Sequence, residues 1–460
     1  MNKFNGNGKV VLVAHAIDAE GPLSESLEAK FERLQDLFKI GHIDHTRKNL
    51  IKLQNGEIPL AGLEEKVREV LGGHLVNYND TWDKIEKMML RLMKDEFRMR
   101  LPDSKGNGWK FTWHTLDHVG FDYNPRRRDM GFHNIFDYYS EWVKDYKRYG
   151  DDLQWHFHPM STYRDAHRCA TFYFRNDLVY QILCRKIIER NWFPSVFRAG
   201  FQTERPDSHW FLEQWIPFDI TNMAVDNPDE FDKTIDFKNG RSGNWRYAPA
   251  DWSIYHPHHD DYQRPGNCRR WIGRALNVMN RIANINQDEV DKAFAKADKE
   301  SQPVLMAVTG HDFRNLDIEV DFVRNLIVES TSKYPEVRFE YCTVEDAFRR
   351  TNWPEGANEE KLELSIDFQP ETKEDVPHIV VKAIAGKVFG PQPFLAIKTK
   401  SRNFMHDNLD FTAEAGKWGY AFHGDTLPLE DVECLSVAAN DKYGNTATAH
   451  LDLKNNQHIS

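Results

Sequence analysis

The chain has 460 residues, of which 40% are hydrophobic, so it exceeds one ordinary domain and is too apolar to be a disordered protein. Its formal net charge of −11 argues against a general binder of nucleic acid or of anionic membranes. The five cysteines are scattered and form no Cys-x-x-Cys pair, which favours reduced thiols: Cys169, Cys184, Cys268, Cys342 and Cys434. Because no signal-peptide pattern and no apolar run of membrane-spanning length occurs, we expect a soluble, cytoplasmic protein.

Apolar runs of strand length alternate with amphipathic helical segments along most of the chain. The predicted strands span residues 10–17, 109–116, 153–158, 195–202, 218–225, 304–309 and 337–343. The predicted helical segments span residues 24–99, 134–148, 177–190, 206–215, 268–285, 287–299, 318–333 and 344–350. This alternation, with near-continuous apolar strands, predicts a parallel sheet covered by helices.

Polar side chains with catalytic chemistry follow the predicted strands, which is where (β/α) barrels carry their active sites. An open doubly wound sheet also fits the alternation, but no strand is followed by a glycine-rich phosphate-binding fingerprint. We therefore expect a (β/α) barrel over residues 1–352, with a helical insertion at about residues 24–108. From residue 353 onward, short alternating strands predict a C-terminal all-β sandwich, immunoglobulin- or fibronectin-like, over residues 353–460.

Two pairs of side chains with metal-binding chemistry follow the first and third predicted strands. Asp18 and Glu20 are two residues apart, as are His156 and His158, so each pair projects from one side of its strand. Two imidazoles and a carboxylate suit a divalent metal such as zinc. A His-x-His pair can also be a hydrogen-bonded pair, and acidic residues can cap a helix, so a metal site requires that the two strand ends converge.

Further residues are candidates for contacting a substrate: Trp245, Arg246, Asp251, Trp252, Asp117 and His118. Aromatic rings with interspersed polar groups suit sugar stacking and hydroxyl recognition, although tryptophans more often belong to the core. Asp117 and His118 follow the second strand, where they either reach the mouth of the barrel or form a local hydrogen-bonded pair.

Two charged runs are interpreted as loops. The three arginines at 126–128 are typical of a solvated loop rather than a phosphate clamp. The histidine-rich run at 256–261 is dense in metal-ligand types, but its proline and the adjacent spacing favour a loop over a second metal site.

The order of the strand-end motifs resembles the polysaccharide deacetylase superfamily, the NodB-like proteins similar to carbohydrate esterase family 4. The resemblance lies in Asp-Ala-Glu-Gly-Pro at 18–22, His-Phe-His-Pro at 156–159, Phe-Arg-Ala-Gly-Phe at 197–201 and Val-Thr-Gly-His-Asp at 308–312. It covers about residues 9–350, and the order of the motifs is more specific than any one of them. This chain departs from the family pattern by one residue inserted between the two acids, by a shortened histidine motif, and by Gly200 near the usual proline.

The resemblance implies an irregular (β/α) barrel that removes an N-acyl group, such as acetyl, from a sugar. The implied roles are general base for Asp18, partner of that base for Arg198, general acid for His311, and ligands of a divalent metal, zinc by preference, for Glu20, His156 and His158. The implied substrate is a nucleotide-, lipid- or polymer-linked N-acyl sugar in bacterial surface polysaccharide synthesis, such as that of O-antigen or capsule. The longer side chain of Glu20 leaves open which acid is ligand and which is base.

Two other functions stay open on the sequence. A glycoside hydrolase would use Asp18 with a second carboxylate on a related barrel and would need no metal. A catalytically inactive glycan-binding protein would use the barrel and the sandwich only to recognise sugar. We expect no nucleic-acid partner and no membrane span, and a homodimer is compatible with the sequence.

Overall fold

The computed structural model describes residues 8–166, 172–174, 177–227, 229, 243–356 and 360–453. Within these residues, seven parallel strands close into a barrel: β1 (Val10–Ala19), β2 (Thr112–Leu116), β3 (Asp152–Phe157), β4 (Val196–Ala199), β5 (Phe218–Asn222), β8 (Trp271–Asn277) and β9 (Pro303–His311). A hairpin of β6 (Pro257–His258) and β7 (Asp261–Pro265) precedes β8, and β10 (Arg338–Cys342) follows β9. The predicted barrel of strands and helices is therefore confirmed.

Strand β1 closes the barrel. One edge of β1 pairs with β9 in parallel, from Val10 opposite Pro303 to Asp18 opposite His311. Its other edge pairs first with β10 and then, from Ala16 onward, with β2. All ten residues of β1 are buried, which explains its near-continuous apolar sequence. Its carboxyl end therefore lies between β2 and β9, with Asp18 directly beside His311.

Helices surround the barrel and fill the long connection between β1 and β2. They are α1 (Leu27–Phe38), α2 (Arg47–Asn55), α3 (Glu64–Leu71), α4 (Gly73–Val76), α5 (Trp82–Leu92), α6 (Asp95–Arg98), α7 (Asn134–Asp145), α8 (Leu178–Arg190), α9 (Pro206–Trp215), α10 (Gln287–Glu300), α11 (Leu316–Lys333) and α12 (Val344–Asn352). The segment predicted as one helical stretch over residues 24–99 contains α1 to α6. Side-chain caps such as Thr46 and Thr81 start the individual helices of this insertion. Helix α5 buries Ile85 and Met89 in the main core of the barrel.

The prediction of a helix over residues 268–285 is wrong. Residues Trp271–Asn277 form β8, which pairs with β5 and β9 and is needed for barrel closure. Six of its seven residues are buried, so the segment lacks the alternation that marks a half-exposed strand. Its partners lie far away in the sequence, and this tertiary pairing overrides the helix propensity of residues such as Ala275 and Leu276.

Residues beyond 360 form two four-stranded antiparallel sheets. One contains β11 (Glu363–Gln369), β12 (His378–Ala385), β16 (Lys417–Ala421) and β15 (Asp410–Phe411), and the other β14 (Phe404–Asp407), β13 (Phe394–Thr399), β17 (Val432–Asn440) and β18 (Thr446–Asp452). Both sheets contribute to one hydrophobic core. Asn440 Nδ2 donates to the carbonyls of Pro194 and Trp215, which attaches this unit near the amino end of β4. The predicted C-terminal all-β unit is confirmed, while its immunoglobulin-like type and the domain limits remain predictions.

Two further expectations concern the state of the cysteines and the presence of membrane-spanning helices. Cys184, Cys268 and Cys342 are free thiols, and Cys169 lies outside the described residues. In the described part of the chain, no helix combines the length and apolar character needed to cross a membrane.

Candidate active site

A cavity with a volume of 570 Å³ lies at the carboxyl ends of the barrel strands. Five residues singled out in the sequence line it: Asp18, Glu20, His156, His158 and His311. They come from the ends of β1, β3 and β9, which meet at the same rim because all barrel strands are parallel. The strand-end motifs therefore converge, as a shared site requires.

Three ligand atoms come together in this cavity: Glu20 Oε1 and the Nε2 atoms of His156 and His158. The two nitrogens are 3.0 Å apart, and they lie 3.4 and 3.2 Å, respectively, from the Glu20 oxygen. Bonds of about 2.1 Å to one ion at a tetrahedral angle would separate two ligand atoms by about 3.4 Å. The spacing and the chemistry of the three donors therefore fit a single divalent ion, and these residues could hold one. Glu20, His156 and His158 are called the ligand group below.

The protonation of the two histidines also suits metal binding. His156 Nδ1 lies 2.9 Å from the Arg198 carbonyl and donates to it, which leaves the Nε2 lone pair directed at the other ligands. Burial lowers the pKa of His156, and it lowers the pKa of His158 well below its usual range. Both rings are therefore neutral near pH 7, which is the form that binds a metal.

Gly200, directly after β4, leaves space for the ring of His158. A Cβ atom on residue 200 would lie 2.0 Å from His158 Cδ2, closer than any real contact. The second histidine of the His-x-His pair therefore needs a residue without a side chain at position 200.

Asp18 forms an ion pair with Arg198 inside the barrel. Arg198 Nε donates to Asp18 Oδ1 at 2.6 Å, and Arg198 Nη1 donates to the Ile220 carbonyl at 3.1 Å. Burial alone would raise the pKa of Asp18, but Arg198, with His156 and His311, outweighs it and holds the pKa below its ordinary value. Asp18 is therefore ionised, and its Oδ2 is the oxygen that Arg198 Nε does not occupy.

His311 lies beside Asp18 at the rim of the cavity. Its Nε2 is 3.7 Å from Asp18 Oδ2, and its Nδ1 is buried without a hydrogen-bond partner among the described residues. Burial lowers the pKa of His311 well below its usual range, although Asp18 opposes this effect. The resting ring is therefore neutral and can receive a proton from its neighbour.

Arg128 belongs to the site, although the arginine run at 126–128 predicted a solvated loop. Its side chain is buried and forms an ion pair with Glu20 Oε2, while Oε1 faces the two histidines. Arg126 instead pairs with Glu25, with 3.4 Å between Nη2 and Oε1. Nothing in the sequence distinguishes Arg128 from its neighbours, because its role depends on how the loop folds back over β1.

Asp312 positions the end of β1. Its two carboxylate oxygens accept hydrogen bonds from the backbone N–H groups of Glu20, at 3.0 Å, and Gly21, at 2.7 Å. The Tyr139 hydroxyl donates to the same carboxylate at 2.9 Å. Asp312 thus fixes the turn that presents Glu20.

A second group of potential ligands lies outside the cavity: His209, Glu213 and Cys268. Arg270 Nη1 lies 2.5 Å from His209 Nδ1, and because an arginine can only donate, this nitrogen must be the acceptor. The neutral ring then carries its proton on Nε2, which lies 3.4 Å from Cys268 Sγ. This tautomer argues against metal binding there, even though the three donors are close enough.

The six predicted substrate-contacting residues are all described, and the cavity lining contains none of them. Trp245 and Trp252 are buried, and their indole N–H groups each donate at 2.9 Å to the carbonyls of Gln202 and Glu289, respectively. Substrate stacking by these rings remains a prediction.

The other four predicted residues also have local partners. Arg246 Nη1 donates to Asn244 at 3.1 Å, and the exposed Asp251 carboxylate lies 3.1 Å from Lys296 Nζ. Asp117 Oδ1 lies 3.0 Å from Lys186 Nζ. The ring of His118 lies near that of His158, with 6.4 Å between the two ring centroids. Direct substrate contact remains a prediction for these residues too.

The insertion between β1 and β2 supplies one wall of the cavity, which sequence patterns did not reveal. Leu23, Glu25 and five residues of α1 line it: Ala29, Glu32, Arg33, Asp36 and Leu37. The helical periodicity of this region predicts packing but does not show which helix covers the barrel mouth.

Comparison of the chain with protein-family models gave no match, and comparison with curated proteins gave none either. The functional argument therefore depends on the geometry of the site.

Proposed function

We propose that the protein is a metal-dependent hydrolase that removes an N-acyl group from a sugar, and that it is a divergent member of the polysaccharide deacetylase superfamily. The observation that carries the proposal is the convergence, in one cavity, of the ligand group with the Asp18–Arg198 pair and with His311. A ligand group, a held carboxylate and a neighbouring histidine are the components that amide hydrolysis requires.

Glu20, His156 and His158 would hold the divalent ion, and zinc suits their two imidazoles and one carboxylate. When bound, such an ion polarises a carbonyl and lowers the pKa of a bound water. Arg128, paired with the other oxygen of Glu20, keeps that carboxylate ionised and oriented. Neutral histidines and an ionised carboxylate are the protonation states that ligands need.

Asp18 is the proposed general base. Its Oδ1 is held by Arg198, so Oδ2 accepts the proton from the attacking water. Arg198 orients this carboxylate and keeps it ionised, so the base is present in its active form over a wide pH range. The lowered pKa also makes Asp18 a weaker base.

His311 is the proposed general acid. Because the resting ring is neutral, the proton that it gives to the leaving nitrogen must first reach it. Asp18 Oδ2, 3.7 Å from His311 Nε2, is the neighbouring carrier of the proton taken from water. The pair would thus move one proton from the attacking water to the departing amine, which leaves both groups as they began.

The arrangement of Asp18 and Glu20 does not favour glycoside hydrolysis. The two acids at the end of β1 are each bound to an arginine, Asp18 to Arg198 and Glu20 to Arg128. Such pairing stabilises the charged forms, whereas glycoside hydrolysis needs one protonated carboxylic acid. The same proposal includes a role in bacterial surface polysaccharide synthesis. It also includes a substrate sugar that is nucleotide-, lipid- or polymer-linked.

The test measures bound metal by elemental analysis and deacylation by acetate release from N-acetylated sugars. We expect about one ion per chain in the wild-type protein and its loss, together with activity, in the His156→Ala/His158→Ala variant. The matched control is His42→Ala/His423→Ala, which removes two exposed histidines. Metal retained by the first variant, or acetate release that survives in it, would overturn the proposal.

A further inference from the structure

One wall of the cavity carries two arginines beside the proposed general acid. Arg314 lies three residues after His311, in the turn between β9 and α11, and Arg281 lies in the loop between β8 and α10. Asn277, the last residue of β8, and Asn280, on the same loop as Arg281, also line the cavity. The wall therefore presents guanidinium and amide groups close to His311.

Arg314 has hydrogen-bonding capacity that the described residues do not use. Its Nη2 donates to Asn280 Oδ1 at 3.1 Å, and its Nε is buried without a hydrogen-bond partner in the described part of the chain. Its Nη1 lies 3.9 Å from Glu319 Oε1, which is beyond hydrogen-bond distance. A buried arginine is normally paired, so an incompletely paired one at a cavity points to a ligand.

The neighbouring carboxyl group does not cancel the charge of Arg314. Burial raises the pKa of Glu319 to about 8, although Arg314 opposes this effect, so the group is mostly protonated near pH 7. His74 adds no counter-charge, because burial, together with Arg314 and Arg281, lowers its pKa. The positive charge of Arg314 is therefore largely available to the cavity.

Most acidic side chains that line the cavity are either paired with an arginine or exposed to solvent. Three of the buried or half-buried acids have arginine partners, Asp18 with Arg198, Glu20 with Arg128, and Glu25 with Arg33 and Arg126. Glu32 and Asp36 on α1 are exposed to solvent, which screens their charge.

We propose that Arg314, together with Asn280 and Arg281, binds an oxyanion of the substrate, so that the preferred substrates are anionic N-acyl sugars. This inference rests on the proposed function. A guanidinium fork matches a carboxylate or a phosphate, and the low-dielectric wall strengthens the contact. Because Arg314 neighbours the proposed general acid, which faces the leaving nitrogen, the oxyanion belongs to the sugar part of the substrate and not to the acyl group.

The test measures binding by titration calorimetry to metal-loaded Asp18→Asn protein, which removes the proposed base. The probes are N-acetylglucosamine, its 1-phosphate and its uronate. We expect at least one anionic probe to bind about 10- to 100-fold more tightly than the neutral sugar, as charge-assisted hydrogen bonds predict. Preference for the phosphate or for the uronate identifies the source of the oxyanion, and equal affinity for all three probes would overturn the inference.

Variants distinguish this wall from an effect of the metal. Adding Arg314→Gln should abolish the preference for the anionic probe, whereas Arg68→Gln, at an exposed arginine paired with Glu65, should leave it unchanged. A preference that survives Arg314→Gln would overturn the inference. If that variant does not fold, Arg314→Lys should lower the preference about three- to tenfold, since the charge stays but the fork is lost, and an unchanged preference again overturns it.

Turnover by the wild-type protein separates this inference from the proposed function. Equal release of acetate from neutral and anionic sugars would contradict the oxyanion subsite and leave the hydrolase proposal standing. Preferential binding of the anionic probe without turnover of any N-acyl sugar would contradict the hydrolase proposal instead.

Discussion

Arg198 Nε donates a 2.6 Å hydrogen bond to Asp18 Oδ1, and both side chains are almost completely buried in the barrel. The two acids at the end of β1 differ in which oxygen remains for the histidines. Arg198 Nε holds Oδ1 of Asp18, whereas Arg128 pairs with Oε2 of Glu20 and leaves Oε1 facing His156 and His158. The longer glutamate side chain places Oε1 3.4 and 3.2 Å from the Nε2 atoms of His156 and His158, whereas Asp18 Oδ1 lies 3.6 Å from Nδ1 of His156.

The pH dependence of activity should respond to Arg198. The pKa of Asp18 is below its ordinary value because Arg198 and nearby histidines outweigh burial, so Arg198→Gln should raise it. A base must be ionised, so the acidic limb of the kcat/KM profile should move to higher pH, by about one unit or more. The measurement is kcat/KM for acetate release across pH 4 to 8.

A matched control for this variant is Arg274→Gln, which breaks a buried pair with Glu289 at 2.7 Å outside the cavity. Arg198→Gln should lose about 3–5 kcal/mol in the free energy of unfolding, because it removes the arginine partner of a buried carboxylate. Arg274→Gln should also destabilise the protein but lose less, because Glu289 Oε1 keeps Lys292 Nζ at 3.1 Å. Only Arg198→Gln should shift the acidic limb. An identical profile in both would show that Arg198 acts on stability alone.

Gly200→Ala should weaken metal binding through His158. A Cβ at this position would lie 2.0 Å from the imidazole, so the ring must move out of the ligand group. We expect metal affinity to fall about 10- to 100-fold, as for other changes that misorient a ligand. Gly424→Ala is the control, because a Cβ there meets nothing within 4 Å. Unchanged affinity in Gly200→Ala would contradict the placement of His158.

Asp312→Asn should loosen the turn that presents Glu20. The N–H groups of Glu20 and Gly21 bind different oxygens of the carboxylate, and in the amide an NH2 donor would replace one of these acceptors. We expect a loss of about 1–3 kcal/mol in the free energy of unfolding, together with weaker metal binding. Tyr139→Phe removes only one donor and should cost about 0.5–1.5 kcal/mol. Urea unfolding and metal titration test this order, and a larger loss in Tyr139→Phe would contradict it.

Glu319 should make stability depend on pH in the direction opposite to that of a paired carboxylate. Burial raises its pKa from 4.5 to about 8, so its contribution to stability is fully present below pH 4.5 and is lost as the pH rises through 8. Glu319→Gln cannot ionise, so its advantage over the wild-type protein should grow between pH 6 and pH 9. Urea midpoints at these two pH values provide the test. A difference that does not change with pH would contradict the burial of an uncompensated carboxyl group.

The sequence predicts the alternation of strands and helices and the strand ends that carry the site. The i and i+2 spacing of Asp18 with Glu20, and of His156 with His158, is local geometry, so it is readable before folding. Parallel strands then bring these ends together, which the structure confirms.

Features that depend on long-range contacts escape such patterns. Strand β8 was predicted as helix because its identity comes from pairing with β5 and β9. Arg128 and Asp312 contact Glu20 from 108 and 292 residues away along the chain. Contacts over such separations leave no pattern in the local sequence. The wall formed by α1 has the same origin, because helical periodicity identifies a buried face but not what that face covers.

The central claim is that Glu20, His156 and His158 hold a metal on which N-acyl hydrolysis depends. The most direct measurement titrates zinc into chelator-treated protein and follows metal binding and acetate release from an N-acetylated sugar together. We expect both to rise in parallel and to saturate near about one ion per chain, and to be absent in His156→Ala/His158→Ala. Full acetate release from the chelated protein, or saturable activity in the double variant, would contradict the claim.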